Sequence, residues 1–186
     1  MIKSRYLVLA LVLFGSARAI RAAEPPDAAR VAIQRDAMDP LLVMWTGNWL
    51  GSGWAHVGPG ERREFTMTET VAPRLQGLLL LVEGQGTSQD PVTGDTIRSH
   101  DALAVVTYDP DREQYRFRHY TMDGRTGEAE LVRTDTGFRW GFHDDRRGGD
   151  VRFTIALDGD RWHEIGEFSR DGGATWFTFL EMGLER

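Results

Sequence analysis

The sequence predicts an all-β protein: a single antiparallel up-and-down β-barrel of about ten strands with a short N-terminal helix. Three observations predict it. From Gly47 to Arg186, apolar residues recur with a period of two in about ten runs of near-even spacing, with no helical pattern between them. Turn-forming clusters such as Gly58-Pro59-Gly60, Asp109-Pro110-Asp111, Asp123-Gly124 and Asp158-Gly159-Asp160 separate those runs. The first run opens as Gly47-Asn48-Trp49-Leu50-Gly51-Ser52-Gly53-Trp54. There an indole can plug one end of a barrel, while the glycines let the strand bend and neighbouring backbone approach. A sandwich with crossing connections is the alternative fold, and no repeat is long enough for propeller blades.

Residues 1–19 read as a signal peptide. Lys3 and Arg5 form a positive start, Tyr6 to Phe14 a short apolar run, and Ala17-Arg18-Ala19 a small-residue cleavage site. The run is far shorter than the ~20 residues a membrane span needs, which favours a cleaved leader over a stable membrane anchor. A periplasmic or secreted location follows. There is no cysteine, so the exported chain must be held by its core alone. Cleavage after Ala19 leaves 167 residues, enough for one domain burying ~70% of its unfolded surface. The leader carries three basic residues (Lys3, Arg5, Arg18) and no acid, so its removal takes the formal charge from −6 to −9. Such a surface favours solubility and repels nucleic acid and anionic headgroups. No basic stripe with interleaved aromatics is present, so nucleic acid is not an expected partner.

Residues 20–35 read as a flexible, Pro-containing lead-in. In 36–45 the spacing of Met38, Leu41, Leu42 and Trp45 fits a short amphipathic helix with Pro40 near its start. The barrel domain is then 36–186. Strands are expected at about 47–57, 62–72, 77–87, 101–109, 113–122, 126–134, 137–143, 150–158, 161–169 and 174–184.

Several strands carry large side chains on both faces. Leu78-Leu79-Leu80-Leu81-Val82 has no alternation. In the run 115–120, Tyr115, Phe117 and His119 share one face, and Arg116, Arg118 and Tyr120 share the other. Such strands suit a barrel wide enough to enclose a small ligand, or a sheet edge covered by the helix or a second subunit. If the arginine face is the inner one, Arg116 and Arg118 lie ~6.6 Å apart along the strand and can fork onto an anionic headgroup, with Tyr120 extending the row. If Tyr115, Phe117 and His119 point inward instead, the arginines stand in solvent. Glu69, Glu83, Glu164, Glu167 and Glu181 also lie within strands, either on a solvated outer face or inside as partners of those arginines.

The remaining chemical inventory is thin. His56, His100, His119, His143 and His163 show no H-x-H or HExxH spacing, and no metal site is expected. Neither a nucleophile elbow nor a phosphate loop occurs. Ser169-Arg170-Asp171-Gly172-Gly173-Ala174-Thr175-Trp176 matches the S-x-D-x-G-x-x-W pattern of the Asp-box of sialidase propellers. In a chain too short for a propeller, a single box is expected to act as a hairpin clasp.

The short helix, the G-x-W opening of the first strand and the meander ending in a basic residue resemble the calycin superfamily of lipocalins and fatty-acid-binding proteins. That resemblance implies that Trp49 closes one barrel end and that Arg186 packs across it. The longer G-x-W-x-G-x-G pattern, with the later run Trp162 to Phe168, resembles exported bacterial lipocalin-like proteins of unestablished function. The same opening also resembles nitrobindin, a haem-binding ten-stranded barrel whose proximal ligand is a late histidine. Here the last strand, 174–184, has no histidine and His163 lies one strand earlier, so haem is a minor expectation.

The expected function is that of an exported, non-catalytic binder of a small amphipathic or hydrophobic molecule, as monomer or homodimer. The ligand-binding candidates are Trp49, Arg116, Arg118, Tyr120, His163, Glu167 and Glu181. The alternatives are an enzyme using in-strand Glu with His163 as acid and base, and a structural domain with a filled core. The leader generates one prediction. N-terminal sequencing of extracytoplasmic protein should find a start at Ile20, and protein still beginning at Met1 would refute the signal peptide.

Overall fold

The computed structural model describes residues 27–186; the signal peptide and the first part of the lead-in lie outside them. Helix α1 spans Ala28–Trp45. It begins eight residues earlier than the periodicity predicts, so much of the expected lead-in is helix. The reason lies at Asp27, whose carboxylate accepts hydrogen bonds from the backbone N–H groups of Ala29 (3.0 Å) and Arg30 (3.2 Å) and so caps the first turn. Pro40 falls inside the helix rather than at its start, at the loss of one i→i−4 bond.

Ten strands follow: β1 (Gly47–Gly58), β2 (Glu61–Arg74), β3 (Leu79–Gln89), β4 (Thr96–Asp109), β5 (Gln114–Thr121), β6 (Thr126–Arg133), β7 (Gly137–Asp144), β8 (Gly149–Asp158), β9 (Arg161–Ser169) and β10 (Phe177–Glu185). Each pairs antiparallel with its chain neighbours, and β1 pairs with β10 to close the barrel. Short turns and period-two patterning dictate this meander, and closure removes the sheet edges. β4 starts at Thr96, earlier than expected, because the turn about Pro91 and Gly94 is held by Asp90, whose side chain accepts from the N–H groups of Val92 and Thr93.

The seam between β1 and β10 is close. A Cβ on Gly51 would lie 2.1 Å from the Gly183 carbonyl oxygen, so only glycine fits there. The β6–β7 seam is the loosest: only Val132 with Arg139 and Arg133 with Phe138 pair, both near the helix end. Towards the other end these two strands splay.

Helix α1 stops the end of the barrel that holds the start of β1. Met38, Leu41 and Trp45, spaced i, i+3, i+7, form its buried face. Trp45 stacks on Phe138 at 5.2 Å and meets the edge of Trp162 at 5.5 Å, and Trp162 meets Trp49 at 5.6 Å. The Trp49 indole N–H donates to the Trp45 carbonyl at 3.0 Å. Arg186 lies over the Trp49 ring at 4.6 Å and donates to the carbonyls of Thr46 (2.8 Å) and Gly159 (3.1 Å), with its Nε on Asp160 at 3.0 Å. The implied closure by Trp49 and Arg186 is the one observed.

The expected hairpin clasp is present. The Asp171 carboxylate accepts from the Thr175 N–H (2.9 Å), the Thr175 hydroxyl (2.6 Å) and the Ser169 hydroxyl (2.8 Å). These bonds hold its carboxyl low, at about 2. The Trp176 indole N–H donates to the Gly173 carbonyl at 3.0 Å.

Trp49 is wholly enclosed, so Trp49→Ala should destabilise the protein by ~3–5 kcal/mol, read from urea denaturation midpoints. A loss under ~1 kcal/mol would show that the indole does not seal the base.

Candidate functional site

Alternation fixes which side chains enter the barrel, and their exposure falls into tiers along its axis. At the helix end, Trp45, Trp49, Leu80, Val106, Leu131, Phe138, Ile155 and Leu184 are 0–2% exposed. In mid-barrel the inward residues Met67, Val82, Ala104, Phe117, Ala129 and Met182 keep 5–8%, and nearer the mouth Val151 is covered to 4% between Phe142 and Phe168. Towards the far end the inward Phe65, His100, His119, Trp140, Phe142, Phe153, Phe168 and Phe179 are only half-buried. Exposure that rises inward and upward from a sealed base describes a lumen open at one mouth.

The lumen wall is aromatic. Trp140 stacks on Phe153 at 4.5 Å and on Phe117 at 4.4 Å, with His119 at 5.4 Å and Phe142 at 6.0 Å. Phe179 closes on Phe153 edge-on at 5.8 Å. At the rim an open cleft of about 700 Å³ is lined by Phe168, Phe177, Phe179, Trp176, Arg147 and Arg170. A smaller groove of about 270 Å³ lies beside the β6–β7 seam against Trp140, Arg139, Arg152 and Trp176.

Several polar side chains enter this apolar space, among them Ser88, whose enclosed hydroxyl has no partner, two glutamates and two histidines. Glu69 follows Met67 and precedes Val71 on the inner face of β2, 7% exposed, with neither oxygen hydrogen-bonded nor ion-paired. Its carboxyl lies against β3 where Gly84 leaves room; a Cβ there would come within 2.5 Å of its Oε1. Glu164, 8% exposed, follows Trp162 on β9 and accepts that indole N–H at 3.1 Å through Oε2. Burial is the main cause that pushes the Glu69 carboxyl up to about 8 and the Glu164 carboxyl up to about 7. The negative charge of Glu164 raises Glu69 further, which places the two groups within electrostatic reach of each other. His119 and His100 enter nearer the mouth, and burial favours their neutral forms. The Nδ1 of His119 is enclosed without a partner.

The residues expected from sequence distribute differently. Arg116, Arg118 and Tyr120 lie on the outer face, because the inner one is taken by Tyr115, Phe117 and His119. Both guanidiniums pair with Glu128 from β6, Arg118 Nε at 2.7 Å from Oε2, and Tyr120 is exposed. The arginine row is therefore not a lumen headgroup site. His163 and Glu181 meet each other on the outer surface at 3.0 Å, and Glu167 holds Arg152 at 2.6 Å outside the barrel. Neither pair faces the lumen, so the expected Glu–His163 acid–base pair has no cleft to work in. Trp49 closes the base and touches no open space. No arginine stands opposite Glu69 or Glu164, contrary to the ion-paired floor considered from sequence. The signal that would have found these acids is local phase: each sits between inward residues, Met67 and Val71 or Trp162 and Gly166.

A haem ligand of the nitrobindin kind does not fit this chain at the implied position, since β10 has no histidine and His163 points outward. Among the described residues no group of three or more His, Asp or Glu is placed to hold a metal, and no helix is long and apolar enough to cross a membrane.

No family model and no curated protein sequence matches the chain. Solved structures do share its fold. Rv2717c from M. tuberculosis matches with a TM-score of 0.55 at 13% identity, over 81% of this chain and 96% of that one. The S-type phycobiliprotein lyase CPES from Guillardia theta matches with a TM-score of 0.53 at 12% identity, over 80% of this chain and 91% of that one. What they share with this chain is its barrel fold. At these identities the likeness is one of architecture alone.

The buried acids generate a pH prediction. Both carboxyls titrate higher folded than unfolded, so between about pH 5 and 8 the folded state keeps protons that the unfolded chain has lost, and stability falls as pH rises. A Glu69→Gln, Glu164→Gln double variant should lack that component. Its stability relative to wild type should rise across the window by up to ~8 kcal/mol, at ~1.4 kcal/mol for each pH unit separating folded from unfolded midpoints of the two carboxyls. Parallel stability–pH curves in urea titrations would show that the acids ionise normally.

Proposed function

We propose that this protein binds a small apolar or amphipathic molecule in the open half of its barrel. One observation carries the reading: large inward aromatics from β2, β5, β7, β8, β9 and β10 remain partly exposed around an open mouth while the helix end is sealed. A filled structural core would bury those rings fully, since exposing them forgoes ~25 cal/mol for each Å² left in water. The rim cleft and aromatic wall supply the shape and chemistry of small-molecule sites, which are concave, mainly apolar and equipped with a few polar groups. Export after cleavage at Ala19 belongs to the same reading and would place the binder outside the cytoplasm. His163 and Glu181, the acid–base pair expected from sequence, meet on the outer surface rather than in the lumen.

The test is a neutral environment-sensitive dye. Nile red should bind wild-type protein with stoichiometry near one and gain fluorescence, and energy transfer from tryptophan should report its proximity to Trp140. Ala129→Trp, which fills mid-lumen, should reduce that binding by about tenfold or more while circular dichroism stays barrel-like. Equal dye binding by wild type and a folded Ala129→Trp protein would place the dye elsewhere and refute the lumen as the site.

A further inference from the structure

The lumen carries two acids that its own fold does not use. Among the described residues Glu69 has no hydrogen-bond donor and no ion-pair partner, and Glu164 has only the Trp162 indole N–H on one oxygen. No hydrogen bond joins the two carboxyls, so they are not a proton-sharing structural pair. An unpartnered carboxyl on a residue only 7% exposed costs several kcal/mol unless something satisfies it. Neither Glu69 oxygen is among the fully enclosed unpartnered polar atoms, so this carboxyl fronts onto space within the barrel.

The surroundings define what would satisfy them. Among the described residues no cation pairs with either acid: Arg116 and Arg118 stand on Glu128 and Arg152 on Glu167 outside the barrel, Arg63 at the mouth end of the inner row of β2 is held by Glu61 at 2.9 Å, and Arg186 lies over Trp49 at the base. At the rim Arg147 is held by Asp144 at 3.4 Å and Arg170 stacks on Phe168 at 5.9 Å. The faces above the acids belong to Phe117, Trp140 and Phe153, and aromatic faces attract cations as carboxylates do. From Glu69 to the inward Phe65 near the mouth is four residues of strand, ~13 Å, the depth left for an apolar body.

We propose that the ligand of this lumen carries a cationic nitrogen head, an ammonium on an apolar body, seated between the carboxyls of Glu69 and Glu164 above the Trp162 floor. The inference rests on the lumen being a binding site. It names the ligand's chemistry and reverses the anionic headgroup expected from Arg116 and Arg118. Burial, with the charge of Glu164 acting on Glu69, favours the neutral acids; the head would supply the missing counter-charge and donate to the free oxygens, giving charge-assisted hydrogen bonds in a water-poor site.

The test compares three probes with one tail: decylamine, decanol and decanoate, titrated below their aggregation limits against the whole protein and followed by tryptophan fluorescence and calorimetry. Decylamine should bind wild type at least about tenfold more tightly than decanol, with decanoate weakest. Glu69→Gln and Glu164→Gln should each weaken decylamine by about tenfold and leave decanol within about twofold. Amine and alcohol binding equally, decanoate binding best, or folded Gln variants that keep wild-type amine affinity would each overturn the cationic head while leaving the lumen as a site. If none of the three binds, the lumen reading fails with it. The wild-type comparison decides the matter even if a Gln variant does not fold.

Discussion

A ten-stranded barrel encloses more space than its inward side chains fill, since about eight strands already reach that limit. How this chain disposes of the surplus governs the rest of its structure. At one end the surplus is taken up by helix α1 and by the packed rings of Trp45, Trp49, Phe138 and Trp162. Arg186 ties that end together by spanning the Trp49 ring and the carbonyls of Thr46 and Gly159. At the other end nothing equivalent among the described residues intrudes, and the aromatic wall faces open space. The one-sided seal makes a scaffold into a container.

The second constraint is where charge is allowed. The outer face of the barrel pairs its ions across strands: Arg116 and Arg118 with Glu128, Arg152 with Glu167, His163 with Glu181. Those pairs are solvated and contribute little stability individually. Inside, Glu69 and Glu164 stand without cations, which low polarity tolerates only because the neutral acid is favoured. On the proposed reading, such an interior is apolar at rest and becomes anionic when a cation enters. Rigid sealing below and unmet polarity above are the two features a preorganised small-molecule site combines.

The barrel itself was legible in the sequence because closure leaves a period-two signature in every strand and turn chemistry between them. Gly47 to Trp54 and the final Arg186 also foretold the sealed end, since an indole framed by glycines has few other uses at the start of a strand. The helix start was missed because the cap at Asp27 lies outside the apolar periodicity, and Pro40 suggested a later beginning. The site was read less well. In the run Tyr115 to Tyr120 both faces carry large side chains, so alternation alone could not tell which arginine or aromatic row enters the barrel. Phase is set by strands paired on either side, and there the small inward residues Ala104 and Ala129 opposite His119 and Phe117 decide it. Glu69 and Glu164 sat in plain alternation with apolar neighbours, but acids in strands read first as solvated.

The most direct measurement is carboxyl ¹³C NMR of glutamate-labelled protein across pH 3 to 10, with Glu69 and Glu164 assigned by single substitution. If the lumen is as water-poor and cation-free as its geometry indicates, these two resonances titrate near 8 and near 7, apart from the other glutamates, and shift to the ionised position when decylamine is added. Midpoints near the ordinary 4.5 for both, unmoved by the amine, would contradict a sealed base, an apolar lumen and its unmet carboxyls together.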